Sequence, residues 1–136
     1  MTMSTPTLKY RLAMFDFDGT LADTLPWMRS IFNELADEHG FRRVEPHDYE
    51  RFRHLHGVAM LRELDLPLWK VPRVANAVRK RMVAHTGKLS LFPGISEVLH
   101  RLAAAGIRLA IVSSNSRENV ERVLGPANAR LIGRFA

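Results

Sequence analysis

At 136 residues with a net charge of +6 and no cysteine, the chain is long enough to bury one core, but can form neither a disulfide nor a thiolate zinc site. Its 46% hydrophobic and 25% charged content is that of an ordinary soluble globular domain. No run approaches the roughly 18–20 uninterrupted apolar residues of a membrane helix, and the stretch before Phe15 lacks the apolar core of a signal peptide. The expected location is therefore the cytoplasm, with no membrane partner.

The first predicted element is a strand from Leu8 to Phe15, whose apolar run Leu12-Ala13-Met14-Phe15 predicts burial on both faces. It stops at Asp16-Phe17-Asp18-Gly19-Thr20. A helix follows, capped by Thr24, with Pro26 in its first turn, Gly40 at its end and Met28, Ile31, Phe32 and Leu35 on one face. Two short helices are expected in "EPHDYERF" and, after Gly57, in "VAMLRELDL", which Pro67 stops. A fourth helix carries the stripe Val71, Val74, Ala75, Val78 and Met82. Between Thr24 and Thr86 there is no convincing strand.

After "LFPG" the pattern changes to helix, strand, helix, strand. Ile95, Val98, Leu99 and Leu102 mark a helix that Gly106 stops. Ile107–Val112 is a short strand, Ser116 caps the helix "RENVERVL", Gly125-Pro126 ends it, and "ARLIGRF" is a further strand. This predicts an α/β fold: a Rossmann-like parallel sheet of about three strands, from residues 1–23 and 87–136, with an all-α insert at 24–86.

In open parallel sheets, ligands sit at the carboxyl ends of the strands. Two such ends are polar here, Asp16 to Thr20 and Ser113-Ser114-Asn115-Ser116. Residues i and i+2 of a strand share a face, with Cα atoms about 7 Å apart. Two ionised carboxylates about 5 Å apart repel by roughly 3 kcal/mol at an effective dielectric near 20. A bound cation, a shared proton or curling of the strand end can offset this. The cation reading points to a hard ion on oxygen ligands, Mg²⁺. A carboxylate held there can attack phosphorus, and its neighbour can protonate the leaving oxygen and then activate water. Gly19 allows a tight turn, with its amide facing a phosphate. Taken alone, Asp-x-Asp-Gly reads equally well as a strand-ending turn.

"FDFDGTLADT" resembles the first motif of the haloacid dehalogenase superfamily. "LFPGISEVLHRLAAAGIRLAIVSSNS" resembles the approach to its second motif, and the helical insert is similar to the cap of the phosphoglycolate-phosphatase-like branch. The resemblance implies that Asp16 is the phosphate-accepting nucleophile and a Mg²⁺ ligand. It implies that Asp18 is the general acid/base and supplies a Mg²⁺-binding carbonyl. Ser113, the Ser114 amide and Asn115 would contact the phosphate. Capping of the following helix is the alternative for Ser113 and Asn115. The dehalogenases and the phosphonate-cleaving branch lack an acid at the position of Asp18, so its presence favours phosphate ester chemistry, with a phosphomutase as the alternative.

The family also needs a downstream Lys or Arg and a later acidic motif. This chain has no Asp after Asp65 and no Lys after Lys88. The expectation is a piece of a longer protein, inactive by itself; a degenerate, non-catalytic core used for interaction is the alternative. The open edge of the first strand would invite pairing with another chain. In "RHLHG", Arg53 and His56 are candidate contacts for an anionic substrate, with a solvated turn as the alternative. Lys70, Arg73, Arg79, Lys80 and Arg81 read as a solvated helix face, and no nucleic-acid partner is expected. His85 and His100 read as surface residues.

Overall fold

The computed structural model describes residues 8–136. The chain divides into two compact units, one holding the residues up to Asp23 together with Thr86–Ala136, the other Thr24–His85. Residues 1–7, which the expected core and the signal-peptide reading include, lie outside the described residues.

The first unit holds a three-stranded parallel sheet in the order β1 (Leu12–Phe15), β2 (Arg108–Ile111), β3 (Ile132–Phe135). β1 pairs with β2 from Leu12 opposite Arg108 to Phe15 opposite Ile111. Helix α5 (Ile95–Ala104) leads into β2, and α6 (Arg117–Leu124) and α7 (Pro126–Ala129) connect β2 to β3. Leu99, Leu109, Ile111, Val120, Leu124 and Ile132 form the buried centre, with Phe17 and Leu21.

Three expectations are corrected here. β1 starts at Leu12, and Leu8 and Tyr10 are exposed. The strand is not buried on both faces. Ala13 and Phe15 pack on the core, whereas Leu12 and Met14 are exposed, Met14 at 68%. The helices of this unit that reach the core meet the inward residues of all three strands, so one face is covered. The opposite face forms an open hollow of about 580 Å³ lined in part by Leu12, Met14, Ala110 and Val112. In α5, Ile95, Leu99 and Leu102 pack inward, but Val98 is exposed. The inward positions repeat as i, i+4, i+7, which leaves i+3 at the edge of the stripe.

The second unit is helical: α1 (Leu25–His39), α2 (Asp48–Phe52), α3 (Val58–Glu63) and α4 (Val71–His85). Ile31, Leu35, Phe41, Val44, Phe52 and Leu64 are buried among them. Thr24 stands at the start of α1, but its side chain makes no capping hydrogen bond. Gly40 ends α1 at φ 66°, a left-handed conformation that suits glycine. Lys70 is not simply solvated. Its Nζ donates to the carbonyls of His39 at 2.9 Å and Gly40 at 3.2 Å, placing a cation on the C-terminus of α1. Arg81 likewise turns inward and ties α4 to α1 by bonding Glu34 and Glu38. His85 is half-buried, with Nδ1 2.8 Å from the Arg81 carbonyl. Among the described residues no helix is long and apolar enough to cross a membrane.

Candidate active site

The turn after β1 is built around Phe17. Its side chain is fully buried, while its carbonyl accepts the amides of Thr20, Leu21 and Ala22 at 3.0–3.2 Å. An inward anchor at the middle position puts the flanking Asp16 and Asp18 on the opposite side, as the two-residue period of an extended chain requires. Gly19 has φ 72°, where a side chain is disfavoured. Its amide, expected to face a phosphate, instead donates to the Ala22 carbonyl at 2.9 Å.

Asp16 is exposed and oriented at both oxygens. The Phe17 amide donates to Oδ1 at 2.8 Å, and the Thr20 hydroxyl to Oδ2 at 3.4 Å. Asp18 is half-buried. Its Oδ2 lies 3.5 Å from Asn115 Nδ2, and its Oδ1 is buried and accepts no hydrogen bond from the described residues.

The second loop follows β2. Because β1 and β2 are adjacent and parallel, their carboxyl ends lie side by side. Ser113 is tied to the end of β3 through its amide, which donates to the Ala136 carbonyl at 2.8 Å. Ser113 Oγ accepts the Asn115 amide at 3.1 Å, and Ser114 is exposed. Ser116 caps α6 by accepting the Asn119 amide at 3.3 Å. The fold thus brings Asp16, Asp18, Gly19, Ser113, Ser114 and Asn115 to one end of the sheet. Arg53 and His56 belong to the helical unit. Both are exposed, and Arg53 Nη1 donates to Glu50 at 3.3 Å.

Sequence reasoning passed over Asn119. It is 1% exposed, and its Nδ2 donates to Asn115 Oδ1 at 3.3 Å. The available signal was an asparagine three residues after a capping serine, where Glu or Gln is usual.

A divalent-cation fit is testable on these residues. The donors offered by the exposed Asp16 carboxylate and the Asp18 main-chain carbonyl are all oxygens, which suits a hard cation. Among the described residues no third His, Asp or Glu joins the pair. The fit is to part of a coordination shell.

Comparisons with known proteins agree with this architecture. A phosphoglycolate phosphatase from Synechococcus elongatus is 35% identical over 111 residues, 82% of this chain and 52% of that protein. Protein CbbY from Rhodobacter capsulatus is 28% identical over 93% of this chain and 60% of its own length. The chain thus spans about half the length of the curated relatives it matches. The crystal structure of CbbY from Rhodobacter sphaeroides in complex with phosphate superposes with a TM-score of 0.70 at 26% identity, covering 93% of this chain and 63% of that one. The haloacid dehalogenase-like hydrolase family matches residues 13–131, nearly the whole chain, and the chain belongs to that family.

Proposed function

We propose that the full-length protein is a Mg²⁺-dependent phosphatase acting on a small phosphorylated metabolite, of the size of phosphoglycolate, through an aspartyl-phosphate. The observation that carries this reading is the pairing of Asp16 and Asp18 at the end of β1 beside the Ser113–Asn115 loop, with Asp18 Oδ1 buried and without a hydrogen-bond partner among the described residues. The similarity to proteins named phosphoglycolate phosphatase supports the substrate class.

An Asp16 oxygen attacks phosphorus, and the bond from phosphorus to the ester oxygen breaks. Asp18 gives its proton to the departing alkoxide, which leaves as an alcohol. A water then loses a proton to Asp18 and attacks the phosphorus of the acyl phosphate. Inorganic phosphate departs, and the Asp16 carboxylate and the protonated Asp18 are restored. The Ser113 hydroxyl and the Asn115 loop hold the phosphoryl oxygens. Arg53 and His56 are the candidates for a second contact to the substrate. Arg53 would have to leave its exposed pair with Glu50, and such pairs are worth under about 1 kcal/mol.

The Asp16 carboxylate and the Asp18 main-chain carbonyl would hold the Mg²⁺. When bound, the ion neutralises the crowded negative charge and polarises the phosphoryl group. Because no third acidic or histidine ligand joins the pair among the described residues, these 136 residues alone are expected to show no turnover.

The test is hydrolysis of a panel of phosphorylated small molecules by the full-length protein, with Mg²⁺ and with a chelator. Turnover is expected with Mg²⁺ and should fall to background in Asp16→Asn. Chelator-resistant turnover, or an Asp16→Asn variant as active as the parent, would overturn the proposal. Robust turnover by the 136-residue chain would refute its expected inactivity.

A further inference from the structure

Helix α6 opens with a modified cap. Ser116 Oγ accepts the N–H of Asn119, the third helical residue. In a capping box the side chain at that third position reaches back to the cap's own N–H. Here the Ser116 N–H donates instead to Asn115 Oδ1 at 2.9 Å. The Asn119 side chain is released from that duty, and its Nδ2 donates to the same Asn115 Oδ1 at 3.3 Å.

This convergence settles which way the Asn115 amide points. A backbone N–H can only donate, so the atom 2.9 Å from Ser116 N is the carbonyl oxygen. The NH₂ end then faces Asp18, with Nδ2 3.5 Å from Oδ2. Catalytic hydrogen bonds are often this long in unliganded sites and shorten in the substrate complex.

Asn119 sits in the core at a cost. Its Oδ1 is buried and accepts no hydrogen bond from the described residues. An apolar side chain beside Val120 and Leu124 would avoid that unmet acceptor. Asn128 in α7 shows how the fold treats a buried amide that only supports structure. Its Oδ1 accepts from Ser96 Oγ at 2.9 Å, and its Nδ2 donates to the Leu124 carbonyl at 2.9 Å.

We propose that Asn119 is a positioning residue. It locks the Asn115 amide with its NH₂ toward Asp18, and so holds the acid/base carboxylate in line with the leaving oxygen. The catalytic part of this inference rests on the phosphatase reading above; the amide lock itself does not.

The test uses the full-length protein and two variants. Asn119→Asp keeps the size but replaces the donor by an acceptor, which repels the Asn115 carbonyl oxygen and sets the Asn119 side chain against the hold of the Ser116 N–H. Asn119→Leu removes the donor alone. With glycerol 2-phosphate, kcat is expected to fall by about tenfold or more in Asn119→Asp and by less in Asn119→Leu, with KM within about twofold. With p-nitrophenyl phosphate, whose leaving group needs no proton, phosphoenzyme formation should change by less than about threefold. Equal losses on both substrates, tracking the fall in Tm, would mean a structural role and overturn the proposal.

A second readout is independent of turnover. The side-chain NH₂ resonances of Asn115 in ¹⁵N-labelled protein should move in both Asn119 variants and in Asp18→Asn. Unmoved resonances in Asn119→Asp and Asn119→Leu overturn the lock. Moved resonances in a protein without phosphatase activity sustain the lock and overturn the phosphatase reading instead.

Discussion

Each of the two units draws an aspartate out of water, and the two are treated in opposite ways. Asp48, in the helical unit, is 4% exposed and well provided for. It accepts the Glu45 amide at 3.1 Å and the guanidinium groups of Arg42 and Arg51 at 3.3–3.4 Å. The Glu45 amide holds its carboxyl below the usual carboxylate range; burial opposes this, and Arg42, His47 and Arg51 add to it. Asp18, in the α/β unit, receives a long hydrogen bond from Asn115 and has a buried oxygen with no donor among the described residues. Leaving a buried polar atom unsatisfied costs roughly 1–3 kcal/mol. The contrast separates a satisfied carboxylate, expected to serve stability, from an unsatisfied one at the candidate site, which on the proposed reading serves chemistry.

The largest expected effect that could break this contrast is on activity. Asp18→Asn in the full-length protein should lower kcat on alkyl phosphates by about 10²–10⁴-fold, the usual worth of a general acid, with Tm unchanged or raised. A clear drop in Tm would place Asp18 with Asp48 as a structural group.

Asp48→Asn should do the reverse. It should lower Tm and leave kcat and KM of the folded enzyme as they were. The pH dependence sharpens the same point. An unfolded aspartate titrates near 3.9, and Asp48 in the folded protein titrates below its ordinary value. Its stabilisation is therefore fully present above about pH 4 and is lost as pH falls through the lowered native value. Urea midpoints measured between pH 6 and 2.5 should fall below pH 4 in the parent, and this fall should flatten in Asp48→Asn. An unchanged acid limb would remove Asp48 from the account.

The smallest effect concerns the Ser116 cap. Ser116→Ala should cost about 1 kcal/mol, as loss of an N-cap does, visible as a lower urea midpoint. Because the Ser116 backbone N–H still donates to Asn115 Oδ1, the Asn115 resonances should stay close to those of the parent. A large shift would mean that the cap hydroxyl, rather than the N–H and Asn119, holds that amide.

Much of the architecture was legible locally. The apolar periods of Ile31 and Leu35, and of Ile95, Leu99 and Leu102, place two helices by themselves. Gly40 ends α1 and Ser116 starts α6, as their conformational preferences predict. What failed were readings that needed a neighbour. Leu12 and Met14 look like core in a run of four apolar residues, yet both are exposed, with no described helix of this unit over their face. Lys70 and Arg81 look like solvated charge, yet each finds a partner more than thirty positions or so away in sequence, Lys70 on His39 and Arg81 on Glu34 and Glu38.

The sequence by itself determined the elements and the chemistry placed at their ends: an Asp-Phe-Asp-Gly-Thr turn after a strand and a serine loop after another. Strand period, glycine freedom and capping act over a few residues, so they can be read there. Only the tertiary structure decided that the two loops meet, that the helices packed on the core of this unit lie on one sheet face, and that the Asn119 amide comes up against the Asn115 carbonyl oxygen. Asn115 and Asp18 are 97 positions apart, and their contact exists because β1 and β2 lie parallel and adjacent. No local preference encodes a hydrogen bond across that separation; it follows from burying Leu109 and Ile111 beside β1.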